Sequence, residues 1–352
     1  MEDKDIEAWL DKVLPMHKTL TKTVVNIIES LLDVNQIEYL TVTGRTKNRE
    51  DAKEKIKRKL YTKPDEQMTD LSGIRIIAFF ESEVDEISSL IEDAFHVDKK
   101  NSLSKDSLLA TDQIGYRSIH YVCDLGKNRI LLPEFNSLKG LKFEFQIRTV
   151  LQHAWAELAH DRNYKFSGKL PKEIERKLFL YAGMLEIADK GFDELSTQID
   201  QYIEEFKNRS SEGDFNIEIN SITLEEFVEN WANTTGFQIR ENLHKSDYSE
   251  LVNELNEMGI KKISELIEII PANFIKVAKQ KTYVTTIHGL IRDWMIIHDY
   301  RKYHDEVSFD WSGFGHKSLE ILESFLNKEQ MTDFLEIYSD HDFFEIGDEF
   351  ME

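Results

Sequence analysis

Three features of the sequence predict an α+β chain, a mixed sheet flanked by helices and followed by a mainly α-helical region. Over roughly the first 165 residues, short apolar runs of strand length alternate with stretches of helical period. "KFEFQIRT", 142 to 149, alternates polar and apolar residues with period two, as a strand with one covered face does. Beyond the polar break "NRSSEGD", 208 to 214, nearly every periodic stretch is helical.

The elements follow in order. Residues 5 to 33 read as helix, with Ile6, Trp9, Leu10, Val13, Val24, Ile27, Ile28, Leu31 and Leu32 at helical spacing and a break expected near Pro15. A short strand at 37 to 42 leads to Gly44, and a Lys-rich helix is expected from 48 to 61. "LSGIRIIAFF", 71 to 80, has strand length and precedes a helix over 83 to 95. "GYRSIHYVCDLG", 115 to 126, reads as a turn entering a strand, and the alternating strand at 142 leads into another helix. Helices resume from 171 to about 207. The break at 208 to 214 then separates a first domain, 1–207, from a helical one, 215–352.

In the alternating strand, Phe143, Phe145 and Ile147 share one face, while Lys142, Glu144, Gln146 and Arg148 share the other. Two readings of the polar face stand at this point. It is a solvated surface, or it holds something phosphorylated and metal-bound.

Charge narrows the choice. The net charge of −22 argues against general affinity for nucleic acid, which is bound by clustered Lys and Arg. Yet residues 44 to 63 carry nine Lys or Arg against three acids, whereas 329 to 352 carry nine acids and no Lys or Arg. A basic island in an acidic chain marks a place where anions are wanted. Cys123 is the single cysteine, which excludes an internal disulfide and a thiolate-rich zinc site. No apolar run approaches the roughly twenty residues of a membrane span, and "MEDKDIEAWL" is acidic where a signal peptide is basic. The expectation is a cytoplasmic protein with no membrane partner.

Four stretches fall in the first domain: "GRTKNREDAKEK" at 44 to 55, "DLSGIR" at 70 to 75, "GYRSIH" at 115 to 120 and "EFQIRT" at 144 to 149. In this order and spacing they resemble the synthetase domain of the RelA/SpoT alarmone synthetases, including small and toxin-type members, over roughly the first 200 residues. The resemblance implies a nucleotidyltransferase-like sheet that moves the β,γ-pyrophosphate of ATP to a ribose 3′-hydroxyl and releases AMP, with Mg²⁺ as cofactor. By the same matching, Asp70 and Glu144 are the catalytic acids and metal partners, with Glu144 either a ligand or the base. Arg45, Lys47 and Lys55 hold ATP, Tyr116 stacks on the acceptor base, and His120 lies near the acceptor phosphates. Gln146, Arg148 and Arg75 support them. Such a site suits the chemistry, because phosphoryl transfer is mostly positioning and charge neutralisation.

Plainer readings accompany each assignment. Asp70 is alternatively a turn residue, Tyr116 a turn aromatic, the Lys-rich helix a solvated face, and Arg75 one half of a buried ion pair. His153, Glu157 and His160 share a helical face, but helix packing around Trp155 explains them better than a metal does. His-Asp dipeptides at 160, 298, 304 and 341 suggest the hydrolase of long family members; that domain precedes the synthetase, and 43 residues before Gly44 are too few for it, so no hydrolase is expected. Tyr300 and Tyr303 are either core or a plug for a nucleotide pocket. Asp51, Asp112 and Ile114 depart from the family pattern, and Ile114 lacks the hydrogen-bonding side chain that helps read guanine.

The leading expectation is therefore synthesis of (p)ppGpp, or an adenosine analogue, from ATP and GDP or GTP. The runner-up is pyrophosphorylation of the tRNA 3′ end by a toxin restrained by the C-terminal region. The third is an inactive nucleotide-sensing scaffold. Intramolecular restraint and an oligomer are the further partner expectations.

Overall fold

The computed structural model describes residues 3–102, 118–165, 171–240, 247–308, 311 and 313–338. They form two compact units, Met1–Thr197 and Gln198–Glu352.

The first unit begins with α1 (Asp3–Val34), which runs unbroken through Pro15. The expected break is corrected. Leu10 before the proline and Leu20, Val24, Ile28 and Leu32 after it are all fully buried, so packing on both sides outweighs one lost backbone hydrogen bond. The first strand, β1, is Thr41–Thr46 rather than 37–42. Ile37 and Tyr39 pack against the core from the preceding loop, and the ladder with the next strand sets the true position. It leads to α2 (Arg49–Lys59), whose Asn48 cap accepts from the Asp51 amide at 2.8 Å. After α3 (Pro64–Gln67) come β2 (Ser72–Ala78), α4 (Glu81–Ala94), β3 (His96–Val97), β4 (Ile119–Asp124), α5 (Gly126–Arg129), a 3₁₀ turn (Pro133–Leu138), β5 (Phe143–Thr149), α6 (Val150–Lys165) and α7 (Lys172–Ser211).

The five strands lie in the order β1-β2-β5-β4-β3, with β2 and β5 parallel and the other pairs antiparallel. Helices α1 and α4 cover one face, where Val24, Ile28, Ile87 and Ile91 meet Ile74, Ile76, Phe145 and Ile147. Directly paired residues point to the same side, so the register lays rows of side chains across the other face. Arg45, Gly73 and Glu144 form one row, and Thr43, Arg75, Gln146 and His120 the next.

The second unit contains α8 (Ser221–Thr235), α9 (Ser249–Glu257), α10 (Ile263–Ile269), α11 (Phe274–Gln280), α12 (Ile287–Glu306), α13 (His316–Phe325) and α14 (Lys328–Ile337). They pack around Phe274, Trp294, Tyr303 and Phe334. Tyr300 and Tyr303 are buried there, bonded to Asp333 and Glu254, which settles the pair as core. The division between units falls inside α7, and Phe206 near the end of that helix belongs to the second core. The polar break at 208 to 214 is where α7 ends, with Arg209 donating to Asp214 at 2.9 Å.

No helix among the described residues is long and apolar enough to cross a membrane.

Candidate active site

The alternation of residues 142 to 149 becomes real geometry in β5. Phe143, Phe145, Ile147 and Thr149 are buried, while Glu144, Gln146 and Arg148 are half-buried on the opposite face. Gly73 sits between Arg45 and Glu144 in its row, and a Cβ there would meet only the Arg45 carbonyl, at 3.8 Å. The absent side chain leaves room on the sheet between cation and carboxylate.

Asp70 lies just ahead of β2. Its Oδ2 accepts from Lys55 Nζ at 2.6 Å and lies 3.3 Å from Lys47 Nζ. Helix α2 supplies Lys55, and the segment after β1 supplies Lys47, whose amide is fixed by the Leu71 carbonyl at 2.9 Å. Burial works to raise the Asp70 pKa, but the Lys55 hydrogen bond and the charges of Lys47 and Lys55 together hold it below the usual carboxylate value. Asp70 is thus an anion at neutral pH. Its Oδ1 is buried with no hydrogen-bond partner among the described residues.

Glu144 is clamped from two strands. His120 Nδ1 on β4 is 2.8 Å from Oε1, and Gln146 Nε2 donates to the same oxygen at 3.1 Å. Burial again opposes ionisation, and the His120 and Gln146 contacts overcome it, leaving the pKa lowered although the charge of Asp70 pushes it up. The two carboxylates therefore share one electrostatic field.

The remaining cations ring this pair. Arg45 projects from β1 and pairs with Asp51 at 2.8 Å, both largely exposed. Asp51, where the family pattern has Ser, is thus the partner of Arg45. Arg75 pairs with Glu157 of α6 at 3.0 Å; the pair is partly exposed rather than buried. Arg148 donates through Nε to Ser118 Oγ at 2.9 Å. Of the other α2 lysines, Lys53 reaches Glu7 of α1 at 2.6 Å, a structural contact.

Of the residues predicted from sequence, Asp70, Lys47 and Lys55 form one cluster, and Glu144, His120 and Gln146 another on the same sheet face. Arg45, Arg75 and Arg148 stand around them, each held by a different partner. Tyr116, Asp112 and Ile114 lie outside the described residues, as does the His160 side chain. His153 is 3.7 Å from Glu157, and no group of three or more His, Cys, Asp or Glu able to hold a metal is found among the described residues. Two carboxylates do fit Mg²⁺, which takes one or two from the protein and completes its shell with phosphate and water, and the unpartnered Oδ1 of Asp70 is a hard oxygen donor. Sequence reasoning put Glu157 on one helical face with His153 but did not find it as the partner of Arg75, and it missed Ser118, inside the "GYRSIH" stretch itself, as the partner of Arg148.

Residues 44–169 match the region found in RelA / SpoT proteins. The chain is 29% identical over 187 residues to GTP pyrophosphokinase YjbM of Bacillus subtilis (strain 168), covering 51% of this chain and 82% of that protein. GTP pyrophosphokinase YwaC of the same strain is 26% identical over 208 residues, 55% of this chain and 93% of that one. Among solved structures, small alarmone synthetase 1 from Bacillus subtilis aligns over 55% of this chain and 99% of its own, at 22% identity and a TM-score of 0.46. The four motifs, the matched region and the two relatives converge: the chain carries a RelA/SpoT-family region spanning residues 44–169.

Proposed function

We propose that the first unit transfers the β,γ-pyrophosphate of ATP to the ribose 3′-hydroxyl of GDP or GTP, yielding AMP and (p)ppGpp. The observation that carries this reading is the pair of ionised carboxylates, Asp70 just ahead of β2 and Glu144 on β5, ringed by Lys47, Lys55, Arg45 and Arg75. The 3′-oxygen forms its new bond to the β-phosphorus of ATP, the bond from that phosphorus to the oxygen of the α-phosphate breaks, and AMP leaves with that oxygen. In this reading Glu144 would take the hydroxyl proton, with His120, 2.8 Å from its Oε1, steadying the carboxylate. Lys47, Lys55 and Arg45 are suited to the polyphosphate, which would draw the lysines from Asp70 and Arg45 from Asp51. Asp70, with Glu144, would hold Mg²⁺, whose charge offsets that of the phosphates.

The relatives bear the name GTP pyrophosphokinase, which supports a guanine nucleotide as acceptor. Mass spectrometry of products after incubating the protein with ATP and each of GDP, GTP, AMP, ADP and bulk tRNA tests this. AMP together with ppGpp or pppGpp is expected. Product from tRNA alone, or from an adenine nucleotide alone, would replace the acceptor; no product from any would leave a nucleotide-sensing scaffold.

A further inference from the structure

Trp9, Val13 and His17 stand four residues apart on α1 and so share one of its faces. With Met68, Leu71 and Leu141 they line a cavity of about 300 Å³, at the lower end of the range for small-molecule sites. Its walls are an indole and aliphatic side chains, and its polar side chains are few: His17, Asp65, Glu66 and Lys142.

His17 is the buried one of these, only 5% exposed, whereas Asp65 and Glu66 of α3 reach solvent. Ser72 Oγ donates to the His17 carbonyl at 3.1 Å, so in its 2.8 Å contact with Nδ1 the ring nitrogen is the donor. Burial pushes the pKa of the ring down to about 4, and near neutral pH Nε2 therefore carries a lone pair and no proton. Nε2 has no hydrogen-bond partner among the described residues, and a buried acceptor without a donor is costly. An N–H or O–H would satisfy it. A carboxylate or phosphate would bring lone pair against lone pair.

Charge selects among the donors. Lys142 is matched by Asp98 at 2.6 Å, and Glu66 lies 3.1 Å from Lys63, while Asp65 has no ion-pair partner among the described residues. An indole face attracts cations as well, and Trp9 supplies one. Water would satisfy Nε2 but would also wet the apolar walls, at a cost in free energy.

We infer that this cavity binds a small organic amine in its ammonium form, its apolar body against Trp9, Val13, Met68 and Leu141, its N–H groups donating to His17 Nε2 and facing the carboxylates of Asp65 and Glu66. Met68 and Leu71 stand on either side of Asp70 in the chain, so the cavity backs onto the segment that carries that carboxylate. Binding there is independent of the activity proposed above.

The test titrates the full chain calorimetrically with phenethylamine and tryptamine, and with 2-phenylethanol and 3-phenylpropionate as the neutral and anionic counterparts. At least one amine should bind saturably, about tenfold or more tighter than either counterpart. A chain of net charge −22 attracts any cation weakly, so variants decide the location. Asp65→Asn/Glu66→Gln should weaken the amine several-fold, and Val13→Trp, which fills the cavity, should abolish its binding. Glu173→Gln/Glu175→Gln, the same change of charge at exposed positions of α7, should alter nothing. No saturable binding of either amine up to roughly 10 mM, equal binding of the alcohol, or equal loss from the two acid-pair variants each overturn the inference. If Val13→Trp lowers the thermal midpoint by more than a few degrees, the comparison of the acid-pair variants alone decides.

Discussion

Asp70 meets two ammonium groups at one oxygen and, among the described residues, no hydrogen-bond donor at the other, an arrangement that stabilises a charge while leaving it usable. Asp70→Asn and Glu144→Gln should each lower AMP release at least ~100-fold, since each removes a charge at which phosphoryl transfer is neutralised or deprotonated. Both proteins should keep their thermal midpoints near neutral pH within a few degrees; rates within a few-fold of the parent would move the site elsewhere. Both carboxylates titrate below their ordinary values in the folded protein. The stability they confer is therefore present above the unfolded pKa near 4 and drains away as pH falls through the lower folded values. Gly73→Ala probes the same row without touching charge. Because its Cβ meets only a carbonyl at 3.8 Å, folding should be spared while nucleotide KM rises. A lost fold with unchanged KM in the surviving fraction would show that the space serves packing instead.

At the scale of elements, α1 is fastened to the sheet edge by a polar pin. Ser72 Oγ donates to the His17 carbonyl at 3.1 Å and so accepts from His17 Nδ1 at 2.8 Å, which makes Nδ1 a protonated nitrogen of the ring. Burial pushes the His17 pKa down to about 4. Unfolded, the ring titrates near 6.5, so between 6.5 and 4 the unfolded chain binds the proton that the folded one refuses, and stability falls as pH falls through that window. The slope of urea midpoint against pH should be positive there, and His17→Gln should flatten it; an equal slope in the variant would assign it to other groups. Gly44 of β1 lies close against the same helix, because an added Cβ would lie 2.7 Å from both Thr21 Cγ2 and Val25 Cγ2. Gly44→Val should cost about 1–3 kcal/mol in denaturant unfolding. Neither device was legible in the sequence, where His17 is one polar residue in a helix and Gly44 only a motif letter. What was legible is local: the faces of β5 follow from period two, and the long helices from their apolar spacing. β1 was misplaced because Ile37 and Tyr39 look like strand residues, whereas pairing with β2 depends on residues some thirty positions away. The four motifs nominated the candidate residues, but the contact between His120 and Glu144, or between Lys55 and Asp70, rests on strand order and helix placement that no local period encodes.

For the whole molecule, the open question is what the second unit does to the first. That unit has a core of its own, closed by a buried Glu254 that Arg292 binds through Nε and Nη2 and Tyr303 donates to at 2.7 Å. Its sequence ends in nine acids from 329 to 352, those from Asp340 onward lying outside the described residues. The nine cations between 44 and 63 include Lys47 and Lys55, which both pair with the carboxylate of Asp70. An acidic tail reaching that island would act as a second such partner and compete with polyphosphate. We therefore expect a chain ending at Ser211 to release AMP several-fold faster than the full chain at low salt. The difference should narrow as ionic strength rises, because exposed charges farther apart than the screening length of ~8 Å in physiological salt lose most of their attraction. Ending at Ser211 keeps α7 whole but strips the partners from Phe206, so monodispersity is measured alongside activity. A monodisperse truncated chain no faster than the parent would remove restraint from the second unit's roles. A chain that is faster by the same factor at all salt concentrations would keep the restraint but take it away from charge, leaving shape as the means by which the helical unit limits access to the sheet face.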